Sequence, residues 1–178
     1  MISDWNNLSK ARDGDENACR IIFNKYNKSL TRMAVLITGS FDAAKDIVQE
    51  TFVRLLNVRI KNQDGNFKSY ITTIAFRLAL KEKSRLSRSM EIKDAYYVDS
   101  SPSPIEKQII EENQKHIFQA ITSLPEQQRD ILVLRFYGEH SYEEISEITQ
   151  LPLGTVKSRI FYAVKACREK LKDKGVLE

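Results

Sequence analysis

Apolar residues recur along this chain at three- and four-residue spacing, and the strict alternation of a half-buried strand is absent. From Glu16 to Ile37, the residues Ile22, Tyr26, Leu30, Met33, Ala34 and Ile37 fall on one helical stripe. GSFDAA then breaks the pattern, and Asp42 is placed to cap the next helix. That helix carries Ile47, Val48, Thr51, Phe52, Leu55 and Leu56 on its apolar side. NVRIKNQDGN, with a turn signal at Asp64-Gly65, reads as a polar loop. A further helix is predicted from near Phe67, with Ile71, Ile74, Ala75 and Leu78 inward, running into the basic stretch KEKSRLSR.

Between Ser87 and Pro104 periodicity fades, and the segment ends in a Ser-Pro repeat that disfavours helix. It reads as a linker, within which Tyr96, Tyr97 and Val98 are also compatible with a short packed segment. Helical spacing resumes over 105–122, 125–137, 142–149 and 153–172, with Pro125 suited to a first turn. The predicted fold class is all-α. Two small helical domains, 1–86 and 105–178, are joined by a polar linker over 87–104.

Composition narrows the function classes. The chain has 178 residues, enough for one domain or two small ones. A net charge of +4 and an isoelectric point near 9.0 are compatible with a nucleic-acid partner without requiring one. No apolar run is long enough to cross a bilayer, and the N-terminus lacks a secretory pattern. Cys19 and Cys167 form no CxxC pair and suit a reducing, cytoplasmic setting. His116 and His140 stand apart from any cysteine cluster, so no metal site is expected. No Ser-His-Asp spacing or phosphate loop appears either. The expectation is a protein without catalytic residues or cofactors.

The most informative block is Leu124–Leu171. Ser141 and Glu144 form S-x-x-E, a capping box opening a short helix with Ile145 and Ile148 inward. Gln150-Leu151-Pro152-Leu153-Gly154 supplies a turn, and Thr155 is placed to open and cap the next helix. Val156, Ile160, Ala163 (or Val164) and Cys167 would pack inward. Thr155, Lys157, Ser158, Arg159, Tyr162 and Lys165 are left facing out. This order is the outline of a helix-turn-helix, whose second helix enters the major groove. Lys and Arg there can donate to guanine edges, and Ser and Thr can bond bases or phosphates. A lone basic helix would more often be a solvated face. Here the capping box, the tight turn and the small polar start occur together.

LPEQQRDILVLRFYGEHSYEEISEITQLPLGTVKSRI resembles region 4 of the extracytoplasmic-function class of bacterial sigma factors. FDAAKDIVQETFVRLL resembles a helix of their region 2, and FKSYITTIAFRLAL resembles the helix that follows it. GTVKSR alone recurs in response regulators; all three blocks in this order are specific. The resemblance implies an alternative sigma factor that recognises and melts promoters. It implies that Arg135, Ser141 and Tyr142 join the outward residues of the second helix on the −35 duplex. It implies that Asn66, Lys68, Tyr70, Thr73, Arg77 and Lys81, with the loop from Lys61 to Phe67, hold the −10 element. Cations interleaved with aromatics suit a melted strand, where rings stack on bases. Tyr70 and Phe76 are also compatible with core or boundary positions.

The resemblance further implies that Asp46, Gln49, Glu50 and Arg54, otherwise an ordinary solvated face, dock on the clamp helices of the polymerase largest subunit. The implied partners are core RNA polymerase, through those clamp helices and its flap, promoter DNA, and an anti-sigma factor of the kind often tethered to a membrane. The chain departs from the family pattern in places. Tyr70 stands where Trp is frequent, Phe76-Arg77 where Arg-Asn is frequent, and Tyr162 where Arg is common. Arg77 cannot accept a hydrogen bond as Asn does. Two other readings stay open. One is a stand-alone helix-turn-helix regulator. The other is a nucleic-acid enzyme using Asp42, Asp46 and Glu50 as metal-binding carboxylates.

Overall fold

The computed structural model describes residues 3–57, 65–92 and 112–176. Among the described residues there are eight helices and no strand. They are α1 (Asp4–Arg12), α2 (Glu16–Thr38), α3 (Phe41–Asn57), α4 (Phe67–Ile92), α5 (Glu112–Thr122), α6 (Glu126–Tyr137), α7 (Tyr142–Thr149) and α8 (Leu153–Asp173). The chain divides into two compact units, 1–86 and 87–178. Among the described residues no helix is long and apolar enough to cross a membrane.

In the first unit, caps mark the helix starts. The Asp15 carboxylate accepts the N–H groups of Asn17 and Ala18 at 2.9 and 3.0 Å, opening α2. Gly39, at φ 72°, closes it in the left-handed conformation that glycine adopts without strain. Ser40, and not Asp42, caps α3: its hydroxyl accepts the Ala43 N–H at 3.3 Å and its carbonyl accepts the Ala44 N–H at 3.1 Å. A capping residue must precede the first helical residue. Asp42 lies two positions past the cap, inside the first turn, and it faces water beside Lys45 at 3.5 Å. Asn66 caps α4 by accepting from the Lys68 N–H at 2.9 Å.

The stripes expected on α2 and α3 are buried, from Ile22 through Ile37 and from Ile47 through Leu55, except that Leu56, also expected inward, is half-exposed at the edge of the stripe. On α4 the inward face is rotated from expectation. Ile71, Thr72, Ala75, Phe76 and Ala79 are buried, while Ile74 and Leu78 are half-exposed. Phe76, 2% exposed, is a core residue and is withdrawn from any surface role. α1 was not expected at all. Ser3 caps it, accepting the Asn6 N–H at 3.2 Å, and Leu8 buries fully. Burial of one leucine is worth about 1.5–3 kcal/mol. The short α1 is therefore also held by polar ties, among them Asp4, which accepts from the Tyr26 hydroxyl at 2.6 Å and pairs with Lys25 at 2.7 Å.

In the second unit, Pro125 precedes α6 as its cap instead of standing inside its first turn. Its carbonyl accepts the N–H groups of Gln128 and Arg129 at 3.0 Å. Ala120, Ile121, Leu124, Ile131 to Leu134, Ile145, Val156, Ile160 and Ala163 form the core. Ala163 takes the interior place, and Cys167 is only partly covered. Helix α4 runs past Ser87, where the linker was expected, to Ile92. The expected segment around Tyr96–Val98 and the expected helix start at Ile105 lie outside the described residues.

Gly138, between α6 and α7, has an ordinary φ of −88°. Space, not conformation, requires glycine there. An added Cβ would lie 2.8 Å from the Leu134 carbonyl oxygen and 2.7 Å from Nε2 of the buried His140. Backbone cannot give way cheaply, so Gly138→Ala is expected to destabilise the second unit by about 1–3 kcal/mol. Thermal unfolding of the full chain measures this, and an unshifted transition would show that the turn has room.

Candidate nucleic-acid interface

The interface in the second unit is built around α7. Its capping box is complete: the Glu144 N–H donates to the Ser141 hydroxyl at 3.0 Å, and the Ser141 N–H donates to the Glu144 carboxylate at 2.7 Å. At the other end Gln150 adopts φ 57°, and its N–H donates to the Ser146 carbonyl. The Leu151 N–H donates to that same carbonyl at 3.2 Å, and the Ser146 hydroxyl donates to the Leu151 carbonyl at 2.5 Å. The turn is thus Gln150–Pro152, shorter than expected. Leu153 and Gly154 are already helical, and the Val156 N–H reaches the Pro152 carbonyl at 3.1 Å.

Thr155 therefore does not open α8. Pro152 holds the cap position, Thr155 sits in the first turn, and no side chain caps the helix. The Thr155 carbonyl accepts from the Ser158 hydroxyl at 3.0 Å. Lys157, Ser158, Tyr162 and Lys165 are exposed, and Thr155 and Arg159 are half-buried. The first turn of α8 holds no acidic residue. Phe161, absent from the residues expected to face out, is 64% exposed, and its ring meets Tyr162 edge to face at 5.4 Å. The only sequence signal was the Phe161-Tyr162 pair among basic residues, and it does not reveal which ring is exposed.

Arg135 and Tyr142 act together across the turn between α6 and α7. The Arg135 guanidinium donates to the His140 carbonyl at 2.7 Å and lies over the Tyr142 ring, 5.2 Å from its centroid. That brace fixes how α7 leaves α6. His140 itself is buried, 2% exposed, with Nδ1 3.6 Å from the Glu144 carboxylate. Burial pushes the imidazole pKa below its usual value, and the Glu144 carboxylate opposes this without reversing it.

In the first unit, Tyr70, Thr73, Arg77 and Lys81 follow at three- and four-residue spacing and share one face of α4. Arg77 and Lys81 are exposed, as is Asn66; Lys68, Tyr70 and Thr73 are half-buried. The Thr73 hydroxyl donates to the Ser69 carbonyl at 2.8 Å. The Tyr70 ring packs beside Trp5 at 5.4 Å. Of the loop from Lys61 to Phe67, positions 61–64 lie outside the described residues. On α3, Asp46, Gln49, Glu50 and Arg54 are all exposed. Arg54 Nε donates to the Glu50 carboxylate at 2.7 Å, an exposed pair of small energetic weight. Val53, 46% exposed, adds an apolar position to this face. Among the described residues no group of three His, Cys, Asp or Glu side chains could hold a metal ion.

The family model for sigma-70 region 2 matches residues 22–89, and that for sigma-70 region 4 matches residues 116–167. The chain is 28% identical to the ECF RNA polymerase sigma factor SigW of Bacillus subtilis over 184 aligned positions, which cover 93% of this chain and 95% of that protein. It is 29% identical to the RNA polymerase sigma-H factor of Pseudomonas aeruginosa, covering 89% of each. Among solved structures it resembles the sigma factor RpoE in complex with the anti-sigma factor NepR from Bartonella quintana. The TM-score is 0.58 at 21% identity, over 86% of this chain and 96% of that one.

The buried His140 carries a pH signature. Its folded-state pKa lies below the unfolded value of about 6.5. The unfolded chain therefore takes up this proton first as pH falls, and stability is lost below about pH 6.5 toward the lower folded value. The melting temperature of the second unit is expected to fall between about pH 7.5 and about pH 5.5. His140→Gln should flatten that slope. The same slope in the variant would assign the dependence to other groups.

Proposed function

We propose a division of labour for a chain that belongs to the sigma-70 family, in its extracytoplasmic-function group, and is an alternative sigma factor of RNA polymerase. The second unit reads the −35 duplex with α8. The first unit docks on core polymerase with α3 and holds the melted −10 strand with α4. Its work is binding and strand opening, in the cytoplasm, with bond formation left to the polymerase. Core polymerase, through its clamp helices and flap, and promoter DNA are its partners, and an anti-sigma factor is a further one.

The observation that carries this reading is the open face of α8. Lys157 and Ser158 stand one turn before Phe161 and Tyr162 and two turns before Lys165, all exposed, on a helix whose first turn lacks acids and a side-chain cap. Free amides at a helix start favour phosphate, and cations above them can reach guanine edges. The Phe161–Tyr162 rings suit thymine methyls or the sugar-phosphate edge. Tyr162 offers no charge where a cation is common in the family. Ser141 and Tyr142, at the start of α7, and Arg135 behind them are positioned by the capping box and the turn brace, and are assigned to the backbone beside the groove.

Opening a duplex without ATP requires that strand contacts offset the cost of unstacking, a few kcal/mol for an extruded base. Tyr70, Thr73, Arg77 and Lys81, with Asn66 and Lys68 at the start of α4, are assigned to this strand: a ring to stack and cations for phosphates. On α3, Asp46, Gln49, Glu50 and Arg54 offer mixed charge to the clamp helices, with Val53 among them. The pairing of Glu50 with Arg54 leaves Asp46 as the acid most open to a partner arginine.

Run-off transcription with purified core enzyme on a promoter library tests the whole reading, since a stand-alone regulator would bind DNA yet start no transcript. On a promoter recovered that way, Lys157→Ala and Arg159→Ala are expected to weaken −35 use. Loss of a base contact costs about 1–3 kcal/mol and relaxes preference at one position, whereas loss of a phosphate contact weakens all sequences alike. Unchanged affinity in both variants would remove these residues from the DNA face. The double charge reversal Asp46→Lys with Glu50→Lys is expected to abolish co-purification with core enzyme. Because both residues are exposed, the circular dichroism spectrum should be unchanged. Normal co-purification would exclude the α3 face as the docking surface.

A further inference from the structure

Helix α1 precedes residue 22, where the family-model match begins, yet its side chains reach both ends of the segment joining α3 to α4. Arg12, at its C-terminal end, donates from Nη2 to the Leu55 carbonyl at 2.6 Å and from Nε at 3.3 Å, in the last turn of α3. Trp5, in its first turn, donates its indole N–H to the Gly65 carbonyl at 2.7 Å, just before α4. The Trp5 ring then meets Phe67 edge-on at 4.9 Å and Tyr70 at 5.4 Å. Phe67 is buried and packs in turn on Tyr26 at 5.3 Å, and Tyr26 donates to Asp4 of α1.

We infer that Trp5 is a positioning residue for single-strand capture: it fixes the Tyr70 ring and the first turn of α4 in the orientation a melted −10 base must meet. The inference rests on the −10 role proposed for Tyr70. A half-buried tyrosine on an exposed helix face would otherwise sample several rotamers, and a strand binding to it would have to freeze them. Packing on Trp5 reduces that freedom in advance, and the half-buried ring keeps an exposed part for a base. The indole hydrogen bond adds direction, because it ties ring position to the backbone at Gly65, next to the capping Asn66. Arg12 secures the opposite end of the same helix, so that α1 cannot slide and carry Trp5 away.

The test uses holoenzyme assembled from the full chain, on a promoter selected by the wild-type holoenzyme, as duplex and with its −10 region pre-melted. Trp5→Leu, which removes the ring, is expected to slow open-complex formation on duplex about tenfold, on the scale of one lost stacking contact. The pre-melted template should restore most of that loss. Trp5→Phe keeps a ring and loses the indole donor, so it should fall between wild type and Trp5→Leu while retaining thermal stability, which keeps the test valid if Trp5→Leu folds poorly. The deciding measurement is the double variant. If Trp5 acts through Tyr70, Trp5→Leu adds little to the defect of Tyr70→Ala, whereas a merely structural role gives effects that multiply. Multiplying defects, normal opening by Trp5→Phe, or equal losses on duplex and pre-melted templates would overturn the positioning role. A Tyr70→Ala chain that opens promoters normally would overturn the −10 reading itself, a result distinct from a normal Trp5 variant beside a defective Tyr70→Ala.

Discussion

An eight-residue helix does not hold its shape in water by propensity, because nucleation costs more than two turns return. The surface proposed to read DNA hangs on such a helix. α7 has one fully buried side chain, Ile145, and depends on closure at both ends: the reciprocal Ser141–Glu144 cap before it, and the Gln150 and Leu151 amides on the Ser146 carbonyl after it. Those closures set the angle at which the chain enters α8. The buried Val156, Ile160 and Ala163 then fix the rotation of α8, and rotation decides which of its residues meet a groove. His140 and Gly138 close the other side of α7, where Arg135 spans the turn. Specificity in the second unit is therefore a consequence of turn geometry before it is a matter of which cations are present.

The first unit solves a similar problem with a different device. Besides Leu8 and the Trp5 ring, charge pairing, a tyrosine hydroxyl, an arginine and an indole N–H hold α1 in place. Directional bonds of this kind add little net stability each, about 0.5–1.5 kcal/mol, but they specify orientation, which apolar burial does not. The result is a short strut whose polar ends land on backbone carbonyls flanking one chain segment.

Much of this was legible in the sequence. The spacing of Ile22 to Ile37, of Ile47 to Leu55 and of Val156 to Ala163 placed three helices and their inner faces, and S-x-x-E located the start of α7. What stayed hidden depends on alternatives that sequence ranks equally. Ser40 and Asp42 are both good caps, and only the first helical residue, Phe41, chooses between them. α4 carries apolar residues on adjacent stripes, so Ile74 and Leu78 looked as inward as Phe76. α1 offered only Trp5, Leu8 and Ala11 as apolar residues among nine, and its ties run to partners as distant as Gly65. For the interface, the cations of α8 were readable as an outward set, but the exposure of Phe161 was not, since phenylalanine on a helix is ordinarily core.

Charge distribution explains how a chain of net charge +4 suits both a polyanion and a protein partner. α8 holds six basic and two acidic residues, whereas α3 holds three acidic and two basic ones. Positive charge is thus concentrated on the helix assigned to the groove, and the surface assigned to polymerase carries mixed sign. Duplex affinity rises with the number of phosphates neutralised and falls steeply with salt. On the proposed reading, a modest local count limits indiscriminate DNA binding by the free protein. Under the proposed division of labour, tight promoter binding comes from both units engaging at once on one polymerase, where the second contact is made at high effective concentration. A weak reader on each unit is what such a scheme needs, because a strong one would hold DNA before the polymerase arrived.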